Sequence, residues 1–198
     1  AEHFNIADVS VAAEIEDVKA AHPDAFIAWS TGTPAGTIFR DVNAAGLDMP
    51  IATTGGNMTY AQMKQYKAFL PKHLYIPSSE FVLRDPKLMA PAQVRPHEDF
   101  YKAFAAVGEK PDISDDLAWD PGEIVVHTLR TLGPGATAAQ ARDFIAHLTS
   151  YPGVDGIYNF EKVPQRGLDV TSAVVSIWDP KADTWVPVSK PTGIPLKR

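Results

Sequence analysis

Along the first third of the chain, short apolar runs alternate with segments in which apolar residues recur every three or four positions. Val11, Ile15 and Val18 share one face of a segment spanning residues 10–21, and Ser10 can cap its start. Residues 24–29, ending Phe26-Ile27-Ala28-Trp29, predict a strand. Ala35, Ile38, Phe39, Val42 and Ala45 predict a helix over 35–45, and Gly46 stops it. Strands are predicted at 49–53 and 73–76, a helix at 60–70, and the tail of a strand at 1–6. Strand and helix alternate through short connections, which is the pattern of parallel βαβ units.

The pattern then changes. Residues 78–96 are interrupted by Arg-Asp-Pro, Ala-Pro and Arg-Pro junctions and predict a loop. Three helices follow at 97–107, 116–132 and 138–149, the last with Thr137 as N-cap. Leu117, Ile124, Val125, Thr128 and Leu129 line one side of the middle helix. From Tyr151 onward the chain is β in character, with strands predicted at 153–160 and 173–179. Trp178 to Trp185 reads as a hairpin through residues 180–183. There is no internal repeat.

Two of the predicted strands end in the same chemistry. The first runs into Ser30-Thr31-Gly32-Thr33-Pro34, the second into Thr54-Gly55-Gly56-Asn57. Thr33 before Pro34 is a helix-start signal, with Thr33 as N-cap and Pro34 at the first helical position. The N–H groups of such a first turn, backed by the helix dipole, suit a carboxylate or another small polar group. Gly32 admits close approach to the backbone. In an open parallel sheet both loops lie outside the carboxyl ends of the strands, where ligands bind. The plainer reading is that both loops only cap helices. Neither carries a Gly-x-Gly-x-x-Gly or Gly-Lys-Ser/Thr phosphate motif.

Little speaks for catalysis or a metal. His3, His22, His73, His97, His127 and His147 are scattered without metal-ligand spacing, and there is no Gly-x-Ser-x-Gly elbow. Asp115, Asp116 and Asp120 are read as stabilising a helix N-terminus. Trp119 begins the same helix and either packs in the core or walls a ligand cleft. We therefore assign no catalytic residue, no metal ligand and no cofactor.

The 198 residues carry a net charge of −6, which argues against nucleic acid or an anionic membrane as partner. With no cysteine, disulfides and thiolate chemistry are excluded. No run is long and apolar enough for a membrane helix, and no signal peptide is visible at Ala1, as in a mature or trimmed chain.

The order of six segments adds a further reading. VAAEIEDVKAAHPDAFIAW, FRDVNAAGLDMPI, DFYKAFAAVG, LAWDPGEIVVHTLRTLG, GVDGIYNF and WDPKADTWVPV together resemble the type I periplasmic substrate-binding proteins of ABC transporters, in the group for branched-chain amino acids and small carboxylates. The resemblance covers nearly the whole chain and corresponds to the C-terminal half of such a protein. It implies an α/β fold, periplasmic-binding-protein-like type I: a parallel sheet with flanking helices in each of two lobes that close on the ligand, the second lobe being incomplete here. Residues 1–79 would belong to the C-terminal lobe, 80–135 mainly to helices of the N-terminal lobe, and 136–198 to the C-terminal lobe again.

The resemblance also implies function. The protein would be the extracellular, periplasmic solute-binding component of an importer, with a membrane permease as partner, no nucleic acid and no enzymatic activity. Ligand contacts carried over by position are Ser30, Thr31, Gly32, Thr33, Thr54, Gly55, Gly56, Asn57 and Trp119. Where some members place an acidic residue for the ligand's ammonium, Gly55 and Gly56 carry no charge. An aromatic or aliphatic acid is thus an alternative to a branched-chain amino acid. A ligand-sensing domain of a regulator with the same fold is the second reading, and a small α/β hydrolase the third. The apolar faces of the 97–107 and 116–132 helices, with Phe100, Phe104, Leu117, Ile124, Val125 and Leu129, are expected to drive self-association.

Overall fold

Phe26–Ala28 (β1), Ile51–Thr53 (β2) and Leu74–Ser78 (β3) lie side by side and parallel, with Phe26 opposite Ile51 and Ile51 opposite Leu74. The structure, a computed structural model, describes residues 1–197. Beyond β3 the sheet continues with Val174–Asp179 (β6) and Thr184–Pro187 (β7), an antiparallel hairpin in which Trp178 faces Trp185. The strand order is β1-β2-β3-β6-β7, so β1 is an edge. Tyr60 packs against both tryptophans, with ring centroids 5.9 and 4.5 Å away.

Helices Ala12–Ala20 (α1), Thr33–Ala44 (α2) and Tyr60–Tyr66 (α3) accompany these strands. The predicted face of α2 is the buried one: Ala35, Ile38, Phe39 and Val42 pack in the core with Ile15, Ile51, Met63, Leu74 and Ile76. Gly46 ends α2 with φ 65°, and Leu47 N–H returns to Val42 O at 3.2 Å. The predicted strand at 1–6 does not form. Ser10 bonds Ala12 N–H at 3.3 Å and donates to Asp41 at 2.8 Å, tying the start of α1 to α2.

Gly36 sets the spacing between α2 and α3. A Cβ there would lie 2.7 Å from the Tyr66 ring, whose hydroxyl donates to Gly32 O at 2.9 Å. Gly36→Ala is expected to cost about 2 kcal/mol by overpacking, in spite of the better helix propensity. Urea unfolding checks this, and an unchanged midpoint would mean that the ring yields freely.

The second unit holds Val94–Ala106 (α4), Ile113–Leu132 (α5), Ala138–Ala146 (α6) and a two-stranded antiparallel ladder of Tyr151–Pro152 (β4) with Ile157–Tyr158 (β5). The segment predicted as a loop contains three single 3-10 turns, Glu80–Val82, Pro86–Leu88 and Pro91–Gln93, and α4 starts before the predicted position. Pro96 fits because it falls in the first turn, where its missing N–H has no helical partner. Asp112 and Asp115 form a capping box at the start of α5, and Thr137 with Gln140 does the same for α6.

Compact units divide the described residues as 1–77 with 175–188, and 78–174 with those from Ser189 onward. This differs from the predicted return at residue 136. The physical reason is local: α6 lies along α5, with the Phe144 ring 5.6 Å from His127, and the turn at 153–155 is bound to Asp120 of α5. The chain returns to the first unit only at Val175.

The faces of α5 also differ from expectation. Its buried stripe is Ile113, Asp116, Asp120, Ile124 and Thr128, while Leu117, Val125 and Leu129 are exposed. Phe100 is fully buried against Trp119, Phe104 and Tyr101, so the apolar set proposed for self-association is partly covered within the unit.

Candidate ligand-binding site

β1 and β2 end level with each other, Ala28 opposite Thr53, so the loops that follow them emerge at one edge of the sheet. They are laced together by one residue. Asn57 is fully buried; its Nδ2 donates to Ser30 O at 2.7 Å and to Thr53 Oγ1 at 2.8 Å, and its Oδ1 accepts from Gly32 N–H at 3.1 Å. Thr53 Oγ1 in turn donates to Ala28 O at 2.9 Å, and Thr54 Oγ1 reaches Ser30 O at 3.4 Å. The amide of Asn57 thus spends its hydrogen-bonding capacity inside the protein and positions the loops.

Helix α2 begins differently from the sequence reading. Gly32, with φ 64°, is the N-cap, and Thr33 is the first helical residue. A left-handed residue turns the chain sharply from strand into helix, a conformation cheap only for glycine. Thr33 is therefore released from capping. The hydroxyls of Ser30, Thr31 and Thr33 make no hydrogen bond among the described residues, and Thr31 and Thr33 are exposed. Thr59 caps α3, its Oγ1 accepting from Gln62 N–H at 3.2 Å. The two glycines of the second loop are explained by close approach: a Cβ on Gly55 would lie 2.6 Å from Pro77 O, and one on Gly56 2.9 Å from Thr31 Cγ2.

Eight of the nine candidate residues thus share one sheet edge. They offer hydroxyls, backbone N–H groups and no charge, an arrangement suited to a small anion or neutral polar head. Beside them runs a groove of about 790 Å³ whose walls include Phe4, Ile27, Trp29, Ser30 and Pro34. Trp119 belongs to the second unit. Its ring packs on Phe100 and Phe104 at 5.2 and 6.0 Å, and its outer side lines a cleft of about 300 Å³ with Arg95, Glu123 and Tyr151. The ring is thus half-buried in aromatic packing and also borders open space.

The acidic residues of α5 need a correction. Asp112 and Asp115 stabilise the helix start, whereas Asp116 and Asp120 point inward and are 1% exposed. Asp120 accepts Val154 N–H and Asp155 N–H, each at 2.9 Å. Burial raises its pKa against the pull of those two bonds. Burial and the neighbouring Asp155 push Asp116 up to about 10, and burial pushes Glu80 up to about 7. Tyr158 is raised as well, first by burial and then by Asp155. The signal missed in the sequence is spacing: Ile113, Asp116, Asp120, Ile124 and Thr128 form one helical stripe. No group of three or more His, Asp or Glu is placed to hold a metal among the described residues. No helix among them is long and apolar enough to cross a membrane.

No family model matches the chain, and no curated protein matches it in sequence. Solved structures do match. An extracellular ligand-binding receptor from Rhodopseudomonas palustris HaA2 superposes with a TM-score of 0.76 at 19% identity, over 94% of this chain and 54% of its own. The branched-chain amino acid transporter substrate-binding protein LivJ from Streptococcus pneumoniae, in complex with isoleucine, gives 0.70 at 20% identity, over 93% and 50%. The fold is that of a type I periplasmic binding protein. A fatty acid ABC transporter substrate-binding protein from Thermomonospora curvata shares this binding-protein fold, at 0.69 and 13% identity over 94% and 48%. The chain spans about half the length of these proteins. The named cargoes of the last two differ, so the binding-protein fold by itself selects no ligand.

Proposed function

We propose that this chain is part of the solute-binding component of an ABC importer, acting outside the cytoplasmic membrane and delivering a small organic acid to a membrane permease. The observation that carries this reading is the sheet edge where Asn57 locks two loops and leaves the hydroxyls of Ser30, Thr31 and Thr33 free. Those hydroxyls and the first-turn N–H groups of α2 would hold the ligand carboxylate without a proton changing hands. Gly55 and Gly56 bring no acidic partner for an ammonium. The ligand class therefore extends from branched-chain amino acids to aliphatic and aromatic acids that lack one. Trp119, in the second unit, stays a proposed aromatic ligand contact on the family resemblance alone.

The test is titration calorimetry of the 198-residue chain against isoleucine, leucine, an aromatic carboxylate and a medium-chain fatty acid. At least one is expected to bind, and Thr33→Val to weaken it about tenfold, the loss of one hydrogen bond to a charged group. Thr33→Ser retains the hydroxyl and is expected to retain affinity. Binding unaffected by Thr33→Val would remove that residue from the site, and no binding across the panel would remove the ligand class.

A further inference from the structure

Four acidic side chains meet inside the second unit with no base among them. Asp116 and Asp120 stand one turn apart on the buried stripe of α5, Asp155 lies in the turn between β4 and β5, and Glu80 opens the first 3-10 turn after β3. Backbone and hydroxyl contacts locate them closely. Asp155 N–H is held by Asp120 at 2.9 Å, while Asp155 O accepts from Glu80 N–H at 3.4 Å. Ser79 Oγ donates to Asp116 Oδ2 at 3.0 Å, and the Tyr158 hydroxyl donates to Asp155 Oδ2 at 3.3 Å.

After this accounting, two oxygens are left over. Asp116 Oδ1 and Asp155 Oδ1 are buried and meet no donor, although their carboxyls lie within hydrogen-bonding reach of each other. The other titratable groups around them are Asp120, Glu80 and Tyr158, each of which adds negative charge if ionised. His97 is close by on α4, but its ring nitrogens face the carbonyl oxygens of Gln93 at 3.0 Å and Glu80 at 3.1 Å. No ion pair reaches any of the four acids among the described residues. Two abutting, desolvated carboxylates repel each other strongly, and one proton between them turns two orphan acceptors into a donor and an acceptor.

We propose that Asp116 and Asp155 share one proton in the folded protein, and that this proton fastens the segment from Ser79 to Val82, where the chain enters the second unit, to α5 and the β4–β5 turn. Ser79 hangs on the Asp116 carboxylate and Glu80 N–H on the Asp155 backbone carbonyl, so repulsion between the two carboxylates pulls these two attachment points apart. The sign follows from linkage. The folded state holds a proton that the unfolded chain gives up near pH 4, so stability is greatest at the acid end of that window and falls as pH rises. Glu80 acts in the same sense but only up to about pH 7, and Asp120, raised by burial, adds to it, so the pair is isolated by comparing variants at Asp116 with the wild type.

Urea unfolding between pH 7.5 and 9 tests this. In the wild type the unfolding equilibrium constant is expected to rise by up to tenfold per pH unit, the limit for one proton. In Asp116→Asn, whose amide donates permanently to Asp155, this rise should vanish, whereas Glu80→Gln should keep it. Infrared spectra at pH 8.5 are expected to show a protonated-carboxyl band in the wild type and in Glu80→Gln, and none in Asp116→Asn. Amide exchange at Leu83, whose N–H bonds Glu80 O at 2.9 Å, should lose protection over the same range once intrinsic rates are divided out. A missing band in the wild type overturns the shared proton, even if Asp116→Asn does not fold. An equal slope in wild type and Asp116→Asn overturns it too. Unchanged protection at Leu83 overturns the anchoring role.

Discussion

Asp120→Ala is expected to destabilise the second unit by about 4 kcal/mol, because it strips two buried N–H groups of a charged acceptor at once. Val154 and Asp155 point their N–H groups at the two carboxylate oxygens from 2.9 Å, and Val154 is fully buried. The carboxylate also fills the space that Gly153 leaves: a Cβ at 153 would collide with it and lie 2.7 Å from the Tyr158 ring. Removing the side chain therefore orphans two donors and leaves the space beside Gly153 unfilled. Asp120→Asn retains one acceptor and turns an NH₂ toward a donor, so an intermediate loss is expected. Chemical denaturation followed by circular dichroism reads both variants. A loss under about 1 kcal/mol for Asp120→Ala would show that the 153–155 turn finds other acceptors.

Asn57→Ala is expected to cost about 3 kcal/mol and to abolish ligand binding at the proposed site. Three groups each lose a partner together: Gly32 N–H, Ser30 O and Thr53 Oγ1, the last two keeping one weaker or opposite bond, to Thr54 and Ala28. The cost per group stays below that of a deep core site because Ser30 and Gly32 are only half-buried and water can replace part of the bonding. Binding is lost for a different reason. Gly32 N–H is held by Asn57 and its O by Tyr66 and Gly36 N–H, so loss of the amide frees one side of the left-handed turn directly before Thr33. Asn57→Asp is a sharper probe, since it keeps the acceptor for Gly32 and loses both donors. Thermal unfolding with and without ligand separates the two effects. A variant that unfolds earlier yet binds normally would show that the loops hold their shape without the clasp.

Much of the first unit was legible in the residue pattern. The face Ala35, Ile38, Phe39 and Val42 appears as a period of three and four, and the strand ends at Ala28 and Thr53 coincide with the onset of hydroxyl and glycine residues. That the two loops would be neighbours followed from parallel order. What the pattern does not carry is the direction of a single amide, so Asn57 reads as a ligand contact when its bonds point inward. Thr33 reads as a cap for a similar reason: capping preference is local, whereas the choice of Gly32 reflects a turn needed to join β1 to α2. In the second unit the hydrophobic rule fails outright. On α5 the buried stripe includes Asp116, Asp120 and Thr128 because backbone donors of the 153–155 turn and the hydroxyl of Ser79 wait there, and Leu117, Val125 and Leu129 are left outside. Such pairing across 34 or more residues leaves no periodic trace.

The route of the chain between its units has a consequence for synthesis. β6 and β7 continue the sheet beside β3, yet residues 79–173 are made between β3 and β6. A ribosome therefore releases β1, β2 and β3 long before their last neighbours exist. During that interval one side of β3 offers unpaired backbone groups to any other nascent or unfolded chain. The first unit to begin emerging is the later one to close, and its final step is a local one, the folding of the hairpin at Trp178 and Trp185 around Tyr60.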